Sequence, residues 1–142
     1  MNEVVRFIED HKTLVICRGI YGDDLLRLIT ALHAGGIMMA EVTFDQADPS
    51  AISKTGQAIK MLKENFPDMK IGSGTVTCVE HVVATKEAGG EFCLSPNVNL
   101  EVIKKSKELG LVSIPGALTP TEILQAHDAG ADIVKVFPAG WL

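Results

Sequence analysis

The sequence predicts an α/β chain with a parallel sheet covered by helices. Two observations carry that prediction. Short apolar segments alternate with amphipathic helical segments along the whole chain. Helical segments end at glycine (Gly35, Gly89, Gly110, Gly130), and each glycine is followed by an apolar segment and a loop, so one unit recurs. Strict alternation of this kind places helices over the faces of a parallel sheet. No linker or low-complexity stretch interrupts it, so a single domain over 1–142 is expected.

The elements follow in order. Asn2 to His11 reads as an amphipathic helix with Val4, Val5, Phe7 and Ile8 on its apolar side. Thr13 to Cys17 is a first strand, leading into Arg18-Gly19. Asp23 to His33 is a helix with a wide stripe of leucine and isoleucine. Met38 to Phe44 is the second strand. Asp48 is placed to cap the next helix, with Pro49 at its first position, and that helix stops before Pro67. Lys70 to Ser73 is the third strand. Thr77 and Glu80 have capping-box spacing and open a helix that ends at Ala88-Gly89-Gly90. Glu91 to Leu94, a helix over Leu100 to Leu109, and Leu111 to Ile114 come next. Thr119-Pro120-Thr121-Glu122 is a second capping box. Its helix ends at Ala129-Gly130, before a sixth strand from Ile133 to Phe137.

The totals exclude several classes. A chain of 142 residues with 46% apolar and 22% charged residues has material for one core. A net charge of -5 without a basic cluster argues against a nucleic-acid surface. The apolar runs are too short to span a bilayer, and Met1 to Lys12 has no signal-peptide core. Cys17, Cys78 and Cys93 are odd in number and lack CxxC spacing, so they read as free thiols of a reducing, cytoplasmic compartment. The four histidines (His11, His33, His81, His127) lack metal-ligand spacing and read as surface or helix-end residues.

A doubly wound open sheet and a (β/α)8 barrel both fit the alternation. Polar residues inside strands and residue-rich loops after strands favour the barrel, whose sites are built from those loops. Two strand residues carry the chemistry. Lys135 shares a face with Ile133 and Phe137. A desolvated lysine is held partly neutral and attacks ketones. A lysine at an exposed strand end, or one paired to a carboxylate, fits the same residues. Glu41 shares a face with Met39 and Thr43, and burial there raises its pKa unless a cation is near. Glu41 and Lys135 form either a structural ion pair or an acid/base group beside an imine-forming amine. Gly72-Ser73-Gly74-Thr75 has a phosphate-loop look, but neither GxGxxG nor GxxxxGK[ST] is present.

Five segments decide further: Glu41-Val42-Thr43, Gly72 to Val76, Ser95-Pro96, Ile114-Pro115-Gly116 and Lys135 to Ala139. In order and spacing they resemble the bacterial 2-keto-3-deoxy-6-phosphogluconate / 4-hydroxy-2-oxoglutarate aldolases, from about residue 5 to 140. The resemblance implies a class I aldolase on a (β/α)8 barrel, a homotrimer, no metal, no cofactor and a small 2-keto acid substrate. It implies Lys135 as the Schiff-base lysine and Glu41 as the general acid/base. Thr75 with its neighbouring backbone, including Gly74, is implied to hold the substrate carboxylate, with Thr43 beside them. Arg18 is implied to bind an anion, and Phe137 and Pro96 to form an apolar wall. Many members carry arginine four residues after the glutamate, where this chain has Asp45. Only about six β/α units precede Trp141-Leu142, so strands seven and eight and their phosphate loops are expected to be missing. Weak activity on phosphorylated substrates and self-association through open sheet edges follow as expectations. The alternatives are a catalytically weak barrel remnant and another Schiff-base or sugar-phosphate barrel enzyme.

Overall fold

The computed structural model describes residues 2–140. Trp141 and Leu142, where the sequence reading placed the end of the encoded barrel, lie outside the described residues. The elements run α1 (Glu3–His11), β1 (Val15–Cys17), α2 (Gly22–Ala34), β2 (Met39–Thr43), α3 (Ala51–Asn65), β3 (Lys70–Gly74) and α4 (Val79–Glu87). They continue with β4 (Phe92–Leu94), α5 (Leu100–Glu108), β5 (Val112–Ile114), β6 (Gly116–Ala117), α6 (Pro120–Asp128) and β7 (Lys135–Val136).

Five strands pair in the order β1-β2-β3-β4-β5, and β6 pairs with β7. Every pairing is parallel. Strand order follows chain order without reversal. A doubly wound sheet reverses at a switch point, so the sequential order is that of a barrel wall.

The two faces of the sheet pack differently. Cys17, Ala40, Val42 and Ile71 point outward onto Leu25 and Ile29 of α2 and Ala58, Ile59 and Leu62 of α3. Phe92, Leu94, Val112 and Ile114 point inward, where Val4, Val5 and Ile8 of α1 meet them together with Leu14 and Ile133. The first helix therefore covers the inner face instead of joining the outer layer. No helix among the described residues is long and apolar enough to cross a membrane.

The Thr119 capping box forms as its sequence predicts, with Pro120 opening the helix. Three expectations need correction. The Thr77 box does not form: Cys78 takes the cap position. The Thr77 hydroxyl is instead donated to Gln46 Oε1 at 2.7 Å, and the backbone N–H of Thr77 is donated to His81 Nδ1 at 3.3 Å. Asp48 does not cap α3, whose cap position is Ser50. Its Oδ1 accepts from the Ser50 N–H at 2.8 Å, its Oδ2 meets Lys54 Nζ at 2.6 Å, and Pro49 stays outside the helix. Finally, His81 is a buried residue, only 8% exposed, with its ring stacked on Phe44 at 4.0 Å.

The sixth predicted strand is shorter and more open than its sequence suggests. Pro115 lacks an N–H and divides the fifth strand into β5 and β6. Backbone bonds still run along the predicted length: Asp132 N–H to Ser113, Lys135 N–H to Pro115 and Phe137 N–H to Ala117. Val136 and Phe137 are 48% and 44% exposed, because no strand among the described residues covers the other side of β7. Ile16 on the opposite edge strand, β1, is 58% exposed.

Candidate active site

Strand alternation puts the two ionisable residues, one in each sheet, on the inner side of the wall. Ala40 and Val42 pack outward, so Glu41 between them points inward. Ile133 packs on the inner cluster, so Lys135 points inward as well. The Glu41 side chain is buried, and one of its oxygens, Oε2, has no hydrogen-bond partner among the described residues. Burial pushes its pKa from the ordinary 4.5 up to about 7, against the opposing pull of Lys135 and then Arg18. Burial lowers the Lys135 amine below its ordinary 10.5; Glu41 works against that shift and Arg18 adds to it.

A second strand lysine provides the contrast. Lys70, at the start of β3, lies 2.8 Å from Glu91 Oε1, and that bond raises its pKa. Lys63 completes the group, 2.6 Å from Glu91 Oε2. This is the paired structural lysine that a strand position commonly holds. Lys135 differs: among the described residues it feels Glu41 only through the field, and its Nζ sits 4.6 Å from the centroid of the Phe137 ring. The ion-pair alternative therefore describes Lys70 and not Lys135.

Glu41 has space because its neighbour is glycine. A Cβ on Gly74 would lie 2.5 Å from Glu41 Oε1 and 2.6 Å from its Cδ. Gly74 thus makes room for the carboxylate. Thr75 follows with φ +57°, an unusual value for a β-branched residue. Its hydroxyl accepts from Arg18 at 3.4 Å. Arg18, Thr43, Phe44, Asp45, Gln46 and Thr75 line a hollow of about 340 Å³ at the C-terminal ends of β1 to β3. Glu41 and Lys135 are not part of its wall. Arg18 links the two regions, since it lines the hollow and its charge acts on both groups. Thr43 is buried and reaches the Cys17 carbonyl at 3.5 Å. Pro96 lies beyond β4, outside the hollow's lining, with its carbonyl against Gly116. A larger hollow of about 520 Å³, lined by Val98, Leu100, Lys104 and Gln125, has none of these groups.

Sequence reasoning missed Gln46, His81 and Phe44, which join the loops after β2 and β3. The contacts that join the loops, Gln46 with Thr75 and Thr77 and Phe44 with His81, are far apart in sequence, and no local spacing signals them.

Fold and site together define a parallel β/α barrel wall whose inner side carries a buried carboxylate and, among the described residues, an amine without an ion-pair partner. The chain belongs to the KDPG and KHG aldolase family, whose model matches residues 6–142. It is 31% identical over 137 residues to a 2-dehydro-3-deoxy-phosphogluconate aldolase of Haemophilus influenzae, covering 96% of this chain and 62% of that one. It is 35% identical over 129 residues to a probable 2-dehydro-3-deoxy-6-phosphogalactonate aldolase of Rhizobium meliloti, covering 91% and 58%. A KDPG aldolase of Legionella pneumophila, solved with pyruvate captured as a covalent carbinolamine, superposes with a TM-score of 0.76 at 32% identity, covering 89% and 58%. The chain thus spans less than two thirds of the length of these relatives.

Proposed function

We propose that this chain carries the Schiff-base half of an aldolase that cleaves a 2-keto-4-hydroxy acid to pyruvate and an aldehyde. The observation that carries this reading is geometric: Glu41 and Lys135 both lie on the inner side of the wall, and among the described residues the buried Glu41 Oε2 has no hydrogen-bond partner. Burial raises the Glu41 carboxyl to about 7 and lowers the Lys135 amine. Each group is thereby shifted toward the pH at which it exchanges protons readily.

The chemistry follows from those two groups. Neutral Lys135 attacks the C2 ketone and gives a carbinolamine. Glu41 moves the protons that let water leave, and a protonated imine remains. Glu41 then accepts the C4 hydroxyl proton as the C3–C4 bond breaks and its electron pair flows into the imine. The aldehyde departs, and the enamine is protonated at C3 and hydrolysed to pyruvate and free Lys135. Glu41 Oε2 suits this role, since it is a buried acceptor with no donor among the described residues. Arg18 and Thr75 are suited to the substrate carboxylate, and the Phe137 ring borders the amine. The family names support the phosphogluconate, phosphogalactonate and 4-hydroxy-2-oxoglutarate type of substrate as a class. The same reading takes the protein as a cytoplasmic homotrimer. Its free thiols Cys17, Cys78 and Cys93 are consistent with a reducing compartment.

The test is exchange of the pyruvate methyl protons in heavy water, which needs the enamine but no aldehyde or phosphate subsite. The methyl signal is expected to decay in the presence of the protein. The rate should rise from pH 5 to pH 8, because Glu41 deprotonates through about 7 and the neutral fraction of Lys135 grows over the same range. No exchange above the buffer rate at any pH contradicts the reading.

A further inference from the structure

The loops after β2 and β3 are joined by one side chain. Gln46 Nε2 donates to the Phe44 carbonyl and to the Thr75 carbonyl, both at 3.2 Å. Its Oε1 accepts the Thr77 hydroxyl at 2.7 Å. Both amide hydrogens and the amide oxygen are thus committed across two loops. Gln46 is exposed, and an exposed glutamine loses rotamer freedom when it is ordered in this way. An apolar contact lies beside the bridge, where the Phe44 ring stacks on His81 at 4.0 Å and 4°.

What the bridge holds is an uncommon backbone conformation. Thr75 has φ +57°, and a β-branched residue stays there only when its surroundings fix it. Downstream, the Val76 N–H is donated to the Leu94 carbonyl at 3.0 Å. On Thr75 itself the carbonyl is taken by Gln46. Rotation of this residue into an ordinary conformation would turn its hydroxyl away from Arg18, which now donates to it at 3.4 Å.

We infer that Gln46 is a positioning residue that holds Thr75 in its left-handed conformation and so sets the Arg18–Thr75 pair at the anion end of the site. The functional part of this inference rests on the aldolase reading above; the structural part does not.

The experiment is a cycle of Gln46→Ala and Thr75→Gly, with Gln46→Glu as a control that keeps the acceptor and loses both donors. Half-saturating pyruvate in methyl-proton exchange is read together with amide hydrogen exchange at Val76 and Thr77. Gln46→Ala and Gln46→Glu are each expected to raise half-saturating pyruvate about tenfold, with the maximal rate within about twofold of the parent. On the Thr75→Gly background, where the hydroxyl that Gln46 is argued to position is gone and a left-handed backbone has no steric cost, Gln46→Ala is expected to shift it less than about twofold. An unchanged value in Gln46→Ala, or a full tenfold shift on the Thr75→Gly background, overturns the inference. If the parent exchanges no methyl protons, the aldolase reading fails and amide exchange decides the structural claim alone. Faster exchange at Val76 and Thr77 in Gln46→Ala then supports the bridge, and unchanged exchange overturns it.

Discussion

Replacing Glu41 by glutamine is expected to slow pyruvate methyl exchange by about 10²–10⁴-fold, the range that general acid–base groups contribute. Glutamine keeps the size and the fit over Gly74 but cannot take a proton. The amine is not the cause of this loss. The Glu41 charge raises the Lys135 pKa, so its removal leaves Lys135 more neutral and a better nucleophile. Stability should move the other way. The folded-state pKa of Glu41 is raised, so the stability this group contributes is full below pH 4.5 and is lost as pH rises through about 7. The parent chain at pH 8 therefore carries a buried charge that glutamine removes. The stability of Glu41→Gln relative to the parent is expected to rise by about 1–3 kcal/mol between pH 4 and pH 8. Urea titrations at both pH values measure this. A relative stability that does not change between the two pH values contradicts the burial argument.

Gly72→Ala is expected to be among the most damaging small substitutions in the chain. Gly72 sits opposite Glu41 in the β2–β3 register, on the inner face. A Cβ there would overlap the Phe92 ring and also the Phe92 carbonyl. A ring can turn, but a backbone oxygen inside a sheet cannot move without breaking the β3–β4 contact. The cost belongs at the top of the range of about 1–3 kcal/mol for overpacking, or above it. Gly56 is the control. It lies within α3, and a Cβ there meets nothing within 4 Å. Gly56→Ala is expected to stabilise by about 0.5–1 kcal/mol, since alanine is the better helix residue. Equal urea midpoints for the two variants would contradict the packing described here.

Periodicity and glycine punctuation carried the helices, the first five strands and the parallel order. They also made Glu41 and Lys135 visible, because an ionisable residue inside an apolar strand breaks its own pattern. Capping was legible only where nothing competed. Thr119 and Glu122 find each other, whereas the Thr77 hydroxyl is taken by Gln46, over thirty residues upstream. The Asp48 cap failed for a similar reason, since Ser50 and Lys54 claim its oxygens. His81 looked like a surface residue because nothing in its own helix shows that Phe44 lies over its ring. The openness of β7 was hidden as well: an apolar strand reads as buried whether or not a neighbour covers it.

The central claim is that Lys135 is the amine that forms the imine, and borohydride reduction in the presence of pyruvate tests it most directly. Reduction of the imine leaves a stable secondary amine, and peptide mass mapping locates it. The account predicts one pyruvate-derived adduct per chain at Lys135, blocked at low pH where the amine is protonated and absent in Lys135→Arg. An adduct at Lys70 or another lysine, or labelling that persists unchanged in Lys135→Arg, would contradict it.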